Sequence, residues 1–484
     1  MATLPALDSS FVHSVLGSGL NSGPARPAIP FTVISTDSRK ISRGCLFVAL
    51  AGDRFDGHDF IPQALQQGAA GILCTKGKVP AGARETHPGA VFFEVESTLI
   101  AYRALASAWR KLFKIPLVCV AGSVGKTTTK ELLSAVLRGR WPDLLKTEGS
   151  QNGFVGIPMT LLELRPSHGA AVIEVGIDEV GAMQEHLDLV QPTTSVLTAI
   201  GPEHLENLRD IPTVAQEEGF ALSRVHAAGG SVAINLDDNW IVLHYESLTG
   251  SNRIGYTLGG YVPGPDVLQG RVDNGDLVVE GPRMAKGGDR FKLPLPGEHN
   301  ARNLLSAIAV ACLLGLSADE MRAGLQTFKG AAGRSELKEL PRKTPVVCDY
   351  YNAQPASMEA GLRLLEEVAS RGPARAVRWA CLGDMLEMGP NEEKFHRELA
   401  GTITELKIEN VLLFGPRMKW LADELKRRGF AGRMGHFETH DALAGELTRN
   451  LHPGEAILIK GSRGMKMEEV WKRLEAFAQA EWKA

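Results

Sequence analysis

A chain of 484 residues with 44 % hydrophobic and 23 % charged residues has an ordinary globular composition and is long enough for two to four domains. Its formal net charge of -3 excludes an electrostatic case for a nucleic acid partner or an anionic membrane, and basic clusters such as Lys426-Arg427-Arg428 read as a solvated helix face. Six scattered cysteines (Cys45, Cys74, Cys119, Cys312, Cys348, Cys381) form no C-x-x-C pair and sit mostly in apolar runs, which points to buried thiols in a cytosolic protein rather than to disulfides or zinc.

The opening MATLPALDSS has no basic stretch leading into an apolar core, so no signal peptide is expected. The longest apolar run, about residues 304–316, falls short of a membrane span, and a cytoplasmic protein is expected. From 31 to 111, short β-type runs (FTVIST, CLFVAL, GAVFFEV) alternate with helical stretches such as 61–68, predicting a small α/β domain. A second block opens at Pro116 with LVCVAG, an apolar strand of the kind buried in a parallel sheet. Leu132, Leu133, Val136 and Leu137 then recur at helical spacing. AAVIEVG (170–176), TSVLTAIG (194–201) and GSVAINL (230–236) continue the strands, and their alternation with helices predicts a doubly wound nucleotide-binding sheet. The Gly- and Pro-rich region 250–297 reads as hairpins appended to that sheet, and a helix over 300–314 with Gly315 past its end closes the block. Beyond Gly330, PVVCDY, VRWACLGD, NVLLFG and EAILIKG alternate with helices, predicting a second Rossmann-like domain. The fold class is therefore α/β, with no short repeat and no low-complexity tail.

The segment GSVGKTTTK (122–130) lies between a strand and a helix. The pattern G-x-x-x-x-G-K-[ST] asks for glycine where Val120 stands, and the glycine present is Gly122, two places later. Strand, glycine loop and helix N-terminus in that order form an anion site, with backbone N–H groups outward and the helix dipole favouring negative charge. Lys126 would add a point charge at the β- and γ-phosphates, and Thr127 a hydroxyl for Mg²⁺. The plainer alternative is a Gly-Lys-Thr turn capping an ordinary helix. Glu174, inside a buried strand, needs a cation or a partner. His204 follows the next strand, and Asp349 ends an apolar run; together they suggest a cation and nucleotide site at strand C-termini.

GSVGKTT matches at every fixed place the shortened loop G-x-x-G-K-[ST]-[ST] of the Mur ligases of peptidoglycan synthesis, and the chain resembles that family along nearly its whole length. STDSRKISRGCLFVALAGDRFDGHDFI (35–61) is similar to its uridine-nucleotide signature, TEGSQNGFVGIPMTLL (147–162) follows the loop as in the family, and PGEHNARNLLSAIAV (296–310) resembles its adenine-side helix. The element AAGRSELKE, the Tyr-Asn-Ala-Gln-Pro segment at 351–355, LGDMLEMG (382–389) and ILIKGSRGMKMEEV (457–470) complete the resemblance, while the Asp-Asn-Pro-Arg of the diaminopimelate-adding relative is missing.

The resemblance implies three domains: 1–112 for the uridine nucleotide, 113–329 with the P-loop for ATP, and a Rossmann-like 330–484 for the incoming dipeptide. It implies an ATP- and Mg²⁺-dependent ligase that activates UDP-N-acetylmuramoyl-tripeptide as an acyl phosphate and adds D-Ala-D-Ala, acting as a monomer. By the same resemblance Gly122, Ser123, Val124, Gly125, Lys126, Thr127 and Thr128 hold the phosphates, Asn300 and Asn303 face adenine, and Arg334 and Asp349 reach the phosphate and ribose. One Mg²⁺ falls to Thr127 and a second to Glu174 and His204. Lys126, Glu174, His204 and Glu218 are the catalytic set. Ser38 and Arg39 hold the uridine diphosphate, Thr147 and Asn152 lie near the muropeptide, and Tyr351, Asn352, Lys460, Ser462 and Arg463 shape the dipeptide side.

Three departures stand out: Ser150 and Gly153 where the family often has Asn, with Phe154 in place of an acid; Gln354-Pro355 for Asn-Pro; and Glu218, beside Glu217, where the family carries a carbamylated lysine. The expectation is that the Glu218 carboxylate replaces that carbamate. Competing readings are another amino-acid-adding Mur ligase or a folylpolyglutamate synthetase-like ligase. A GTPase would need an Asn-Lys-x-Asp after the loop, which is absent, and a non-catalytic scaffold would not need Lys126, Thr127, Glu174, His204 and Asp349 together.

Overall fold

The computed structural model describes residues 6–17, 28–52, 55–260, 264–372 and 375–482. Parts of the N-terminal decapeptide (1–5), of the 35–61 segment (53–54) and of the 250–297 region (261–263) lie outside the described residues. The chain is α/β and divides into two compact units, one of Met1–Leu117, Asp143–Val175 and Glu185–Pro192, the other of Val118–Pro142, Gly176–Gln184 and Thr193–Ala484.

In the first unit Ile34–Ser35, Leu46–Val48, Gly71–Thr75 and Val91–Val95 form a four-stranded, wholly parallel sheet in chain order. Only two residues of FTVIST join that sheet, at its edge. Apolar side chains from strands and helices, among them Phe47, Ile61, Ile72 and Phe92, fill one core of this unit. Helix Thr98–Lys111 is capped by Ser97 and buries Tyr102, Leu105, Ala106 and Trp109, one stripe at helical spacing. Leu144–Lys146 pairs in parallel with Ala170–Glu174, which carries Glu174 as its last residue.

In the second unit the buried strand Leu117–Ala121 is followed, in spatial order, by Thr194–Leu197, Ser231–Asn235, Arg253–Leu258, Val267–Asp273, Asp276–Glu280 and Asp289–Lys292. The region 250–297 is not simply a set of hairpins. Arg253–Leu258 pairs in parallel with both Ser231–Asn235 and Val267–Asp273, and only the last two pairings are antiparallel. The reason is burial: Ile254, Tyr256, Val267 and Leu268 extend the apolar sheet beneath helix Glu298–Leu313, which contacts these strands. That helix also packs on Lys126–Leu137, the helix following the glycine loop. Gly315, at φ +80, follows its end as a residue without Cβ can.

The remaining strands of this unit form a six-stranded sheet in the order Glu336–Leu340, Thr344–Asp349, Ala456–Lys460, Arg378–Gly383, Asn410–Phe414, Arg433–Phe437. All neighbours are parallel except the first pair, and separate apolar cores cover its two faces. Arg433–Phe437 was not legible in the sequence, because an exposed edge strand carries no apolar run. All six cysteines are buried and unbridged, and among the described residues no helix is long and apolar enough to cross a membrane.

Candidate functional site

The glycine loop sits between a fully buried strand and the helix Lys126–Leu137. Gly122 and Gly125 adopt φ +120 and +91, and a Cβ would lie 2.3 Å from Thr198 Oγ1 at the first and 2.7 Å from Asn303 Oδ1 at the second. Both positions therefore require glycine on conformation and on space. The end of the neighbouring strand grips the loop: Ser123 N donates to Ala199 O at 2.7 Å, and Thr198 Oγ1 donates to Val124 O at 2.6 Å. Gly125, the N-cap, offers no side-chain acceptor to the first helical amides, which leaves a positive helix end open to an anion. Ser123 Oγ is buried with no hydrogen-bond partner among the described residues.

Three charged side chains surround this loop. Lys126 Nζ donates to Gly122 O and pairs with Glu203 Oε1 at 3.0 Å, with Glu203 buried. Glu218 Oε2 accepts from Gly122 N at 2.7 Å, while its Oε1 has no partner among the described residues. Burial drives the Glu218 carboxyl upward, Lys126 opposes this, and Glu203 adds to it. Glu217 turns elsewhere, accepting from Gly181 N at 2.9 Å. Thr127 is buried and Thr128 half-buried on the first turn of the helix. Asn303 Oδ1 closes on Gly125, and Asn300 is buried with its amide donating to Pro296 O at 2.6 Å.

A second cluster of predicted residues gathers at the ends of Thr344–Asp349 and Ala456–Lys460. Lys460 is buried; its ammonium contacts Asp349 Oδ2 at 2.5 Å and donates to Asn352 O at 3.0 Å. Asp349 Oδ1 accepts from Ser335 N at 2.9 Å. Desolvation alone would raise the Asp349 carboxyl, but Lys460 and the Ser335 amide outweigh it and hold the group below its ordinary value. The Arg334 guanidinium stacks on the Tyr351 ring at 4.0 Å, with Arg463 5.9 Å from the same ring. Ser462 is buried between Ala353 O and Leu386 N. His299 Nε2, 3.2 Å from Ser335 Oγ, links this cluster to the helix that carries Asn300 and Asn303.

In the first unit, Asn152 Nδ2 donates to Glu174 Oε1 at 2.9 Å and Glu174 N donates to Thr147 Oγ1 at 3.0 Å, so three predicted residues converge there. Ser38 is buried, whereas Arg39 projects outward and is tied to Asp37 through two contacts of 2.8 and 2.9 Å. The Arg39 hydrogen bond lowers the Asp37 carboxyl to about 2. His204, back in the second unit, stands at φ +46 with Nδ1 2.8 Å from Glu387 Oε2. Sequence reading passed over Glu203, Thr198 and Glu387. The only available signals were the acid beside His204 in IGPEHLE and the acid in LGDMLEMG. Among the described residues no three His, Cys, Asp or Glu side chains gather closely enough to hold a metal ion.

Family comparison covers most of the chain. The profile of the Mur ligase middle domain matches residues 120–311, that of the Mur ligase glutamate ligase domain 333–463, and that of the Mur ligase family catalytic domain 30–109. The sequence is 33 % identical over 458 residues to the UDP-N-acetylmuramoyl-tripeptide--D-alanyl-D-alanine ligase of Bacillus subtilis (strain 168), covering 93 % of this chain and 95 % of that one. The fold superposes on MurF from Acinetobacter baumannii with a TM-score of 0.82 at 24 % identity, over 98 % of this chain and 100 % of that chain. MurF ligase from Thermotoga maritima in complex with ADP gives 0.76 at 24 % identity, over 93 % and 98 %. These likenesses establish the fold as that of the solved structures.

Proposed function

The chain belongs to the Mur ligase family, and from that premise we propose that it is an ATP-dependent amide ligase joining D-alanyl-D-alanine to UDP-N-acetylmuramoyl-tripeptide in peptidoglycan precursor synthesis. The observation that carries this reading at the site is the compact glycine loop, whose two left-handed glycines, uncapped helix end and Lys126 suit a polyphosphate.

A carboxylate is a poor electrophile because it would have to expel oxide. In the proposed reaction an oxygen of the tripeptide's terminal carboxylate attacks the γ-phosphorus, the bond to the β,γ-bridging oxygen breaks, and ADP leaves. The dipeptide amine then attacks the acyl carbon, loses a proton, and phosphate departs. Two anions must meet in the first step, so charge neutralisation and positioning supply most of the acceleration. Lys126 exchanges Glu203 and Gly122 O for phosphate oxygens, and the amides of the uncapped helix start, 125–128, supply the remaining donors. Glu218 holds the first glycine of the loop, and its second oxygen supports a role in place of the family's carbamate.

Thr127 is assigned to one Mg²⁺, which when bound would neutralise the phosphate charge, and Glu174 and His204 to a second, which would hold the attacking carboxylate. A hydroxyl and a carboxylate are hard oxygen donors of the kind this ion takes, with water completing its shell. Asn300 and Asn303 are assigned to adenine, and Arg334 and Asp349 to the phosphate and ribose. Ser38 and Arg39 are assigned to the uridine diphosphate, and Thr147 and Asn152 to the muropeptide. Tyr351, Asn352, Lys460, Ser462 and Arg463 are assigned to the dipeptide side. Of these, Lys460 acts through Asp349 and the chain at Asn352. The functional division is 1–112, 113–329 and 330–484, and the protein acts as a cytoplasmic monomer.

Phosphate release with ATP, UDP-N-acetylmuramoyl-tripeptide and a panel of D,D-dipeptides tests the reading. Release with D-Ala-D-Ala supports it, whereas release only with free diamino acids would assign the chain to an amino-acid-adding member.

A further inference from the structure

The strand beside the glycine loop, Thr194–Leu197, pairs with Leu117–Ala121 on one edge and with Ser231–Asn235 on the other. Both backbone ladders stop at Leu197, opposite Ala121 and Ile234. Past that point Thr198–Ile200 is still held on each edge. Toward the loop, Thr198 N donates to Ala121 O at 3.0 Å and Ala199 O accepts from Ser123 N at 2.7 Å. On the far edge side chains replace the missing backbone partners. Asn235 Nδ2 donates to Thr198 O at 2.7 Å, and Asp238 Oδ2 accepts from Ile200 N at 2.8 Å.

Asp237, beside Asp238, reaches the opposite way. Its Oδ1 accepts from Thr257 Oγ1 at 2.5 Å, and its Oδ2 from Leu258 N at 2.8 Å and Arg302 Nε at 3.1 Å. Arg302 lies on helix Glu298–Leu313 directly before Asn303, and a second guanidinium nitrogen donates to Glu298 Oε1 at 2.9 Å. The local turn accounts for only one of the four carboxylate oxygens. Asp238 Oδ1 closes that turn by accepting from Trp240 N at 2.9 Å and Ile241 N at 3.1 Å. The other three oxygens bind elements distant in sequence, with charge-assisted bonds that are stronger and more directional than neutral ones.

We propose that Asp237 and Asp238 are positioning residues that set the separation between the two halves of the nucleotide site. Asp237 holds the base-side helix through Arg302, and Asp238 holds the glycine loop through Ile200 and the strand end that grips it. The inference rests on the ATP-dependent ligase reading, which assigns adenine to Asn300 and Asn303 and the phosphates to the loop. Base and phosphates are joined covalently at a limited span. A bracket that fixes the distance between their subsites lowers the ordering cost of binding and aims the γ-phosphate.

Calorimetric titration of the full chain with ATP and with inorganic tripolyphosphate, both with Mg²⁺, separates the two halves, because tripolyphosphate lacks base and ribose. Asp237→Ala should weaken ATP about 10-fold and leave tripolyphosphate within about 2-fold, since only the base-side helix is released. Arg302→Gln, which leaves Thr257 and Leu258 bonded to Asp237, should give the same pattern. Asp238→Asn can keep its turn through one oxygen while setting an N–H group against Ile200 N. It should weaken both probes alike, by about 10-fold. Equal weakening of the two probes in Asp237→Ala and Arg302→Gln, the mark of a general loosening, overturns the inference. Unchanged affinities in Asp238→Asn overturn it as well. Neither titration involves the tripeptide or the dipeptide, so its failure is distinct from a failure of the chain to add D-Ala-D-Ala.

Discussion

The Glu218 carboxylate accepts a 2.7 Å hydrogen bond from the Gly122 amide, joining a helix residue to the first glycine of the loop across 96 positions of sequence. It lies in the middle of helix Ile211–Ala227, fully buried, and holds the loop from below while Lys126 and Glu203 hold it from beside.

Replacing Gly122 with alanine adds a Cβ 2.3 Å from Thr198 Oγ1 and 3.0 Å from Thr198 N at a backbone of φ +120. The loop must shift, and the neighbouring strand end cannot give. We expect Gly122→Ala to lose about 1–3 kcal/mol in urea unfolding and at least 100-fold in ATP-dependent phosphate release. Wild-type values in both assays would refute the role given to the loop.

Lys126→Met removes the cation beside buried Glu203, and stranding a buried carboxylate costs about 3–5 kcal/mol. Activity should fall about 10²–10³-fold with the loss of a phosphate-directed charge. The double variant Lys126→Met/Glu203→Gln should regain most of the stability and none of the activity. Recovery of turnover in the double variant would show that Lys126 serves only to neutralise Glu203.

The pH dependence of stability carries the signature of Glu218. Its carboxyl moves from an ordinary value of 4.5 up to about 8 in the folded state, mainly through burial. The folded protein then keeps a proton that the unfolded chain releases. The contribution is complete below about 4.5 and is lost as pH rises through about 8. Relative to Glu218→Gln, the wild type should lose up to about 1.4 kcal/mol per pH unit within that window. Denaturation midpoints that run parallel from pH 5 to pH 8 would contradict the assignment.

Lys460→Met should be among the most destabilising single changes in the C-terminal sheet. It leaves Asp349 facing a buried gap and frees the carbonyl of Asn352. A loss of about 3–5 kcal/mol is expected in chemical unfolding. Asp349 is held below 3.8, so its part in the pair is present above that value and fades as pH falls through the lowered one. The penalty in Lys460→Met should therefore shrink at acid pH, and a penalty constant down to pH 2 would argue against the pair.

Much of the fold was legible because parallel strands buried on both faces must be continuous apolar runs, and LVCVA, AAVIE, TSVL, SVAIN and AILIK each become a strand where they occur. The edges were less legible. Arg433–Phe437 needs no apolar run, and 250–297 looked like hairpins because alternating Gly and Pro does not say whether a strand pairs in parallel. Of the site, the glycine loop could be read residue by residue, since a left-handed backbone and a tight approach each restrict the choice to glycine.

By itself the sequence determined the order of strands and helices, the phosphate loop and its lysine, and the family, because these depend on local conformation and residue type. Tertiary structure alone decided what each charge meets. It set Glu218 under Gly122, Glu203 on Lys126, Lys460 on Asp349 and Glu387 on His204, pairings between residues far apart in sequence. A charged side chain carries no mark of its partner. The partner is chosen where the folded chain removes water, because there an unpaired charge costs the most.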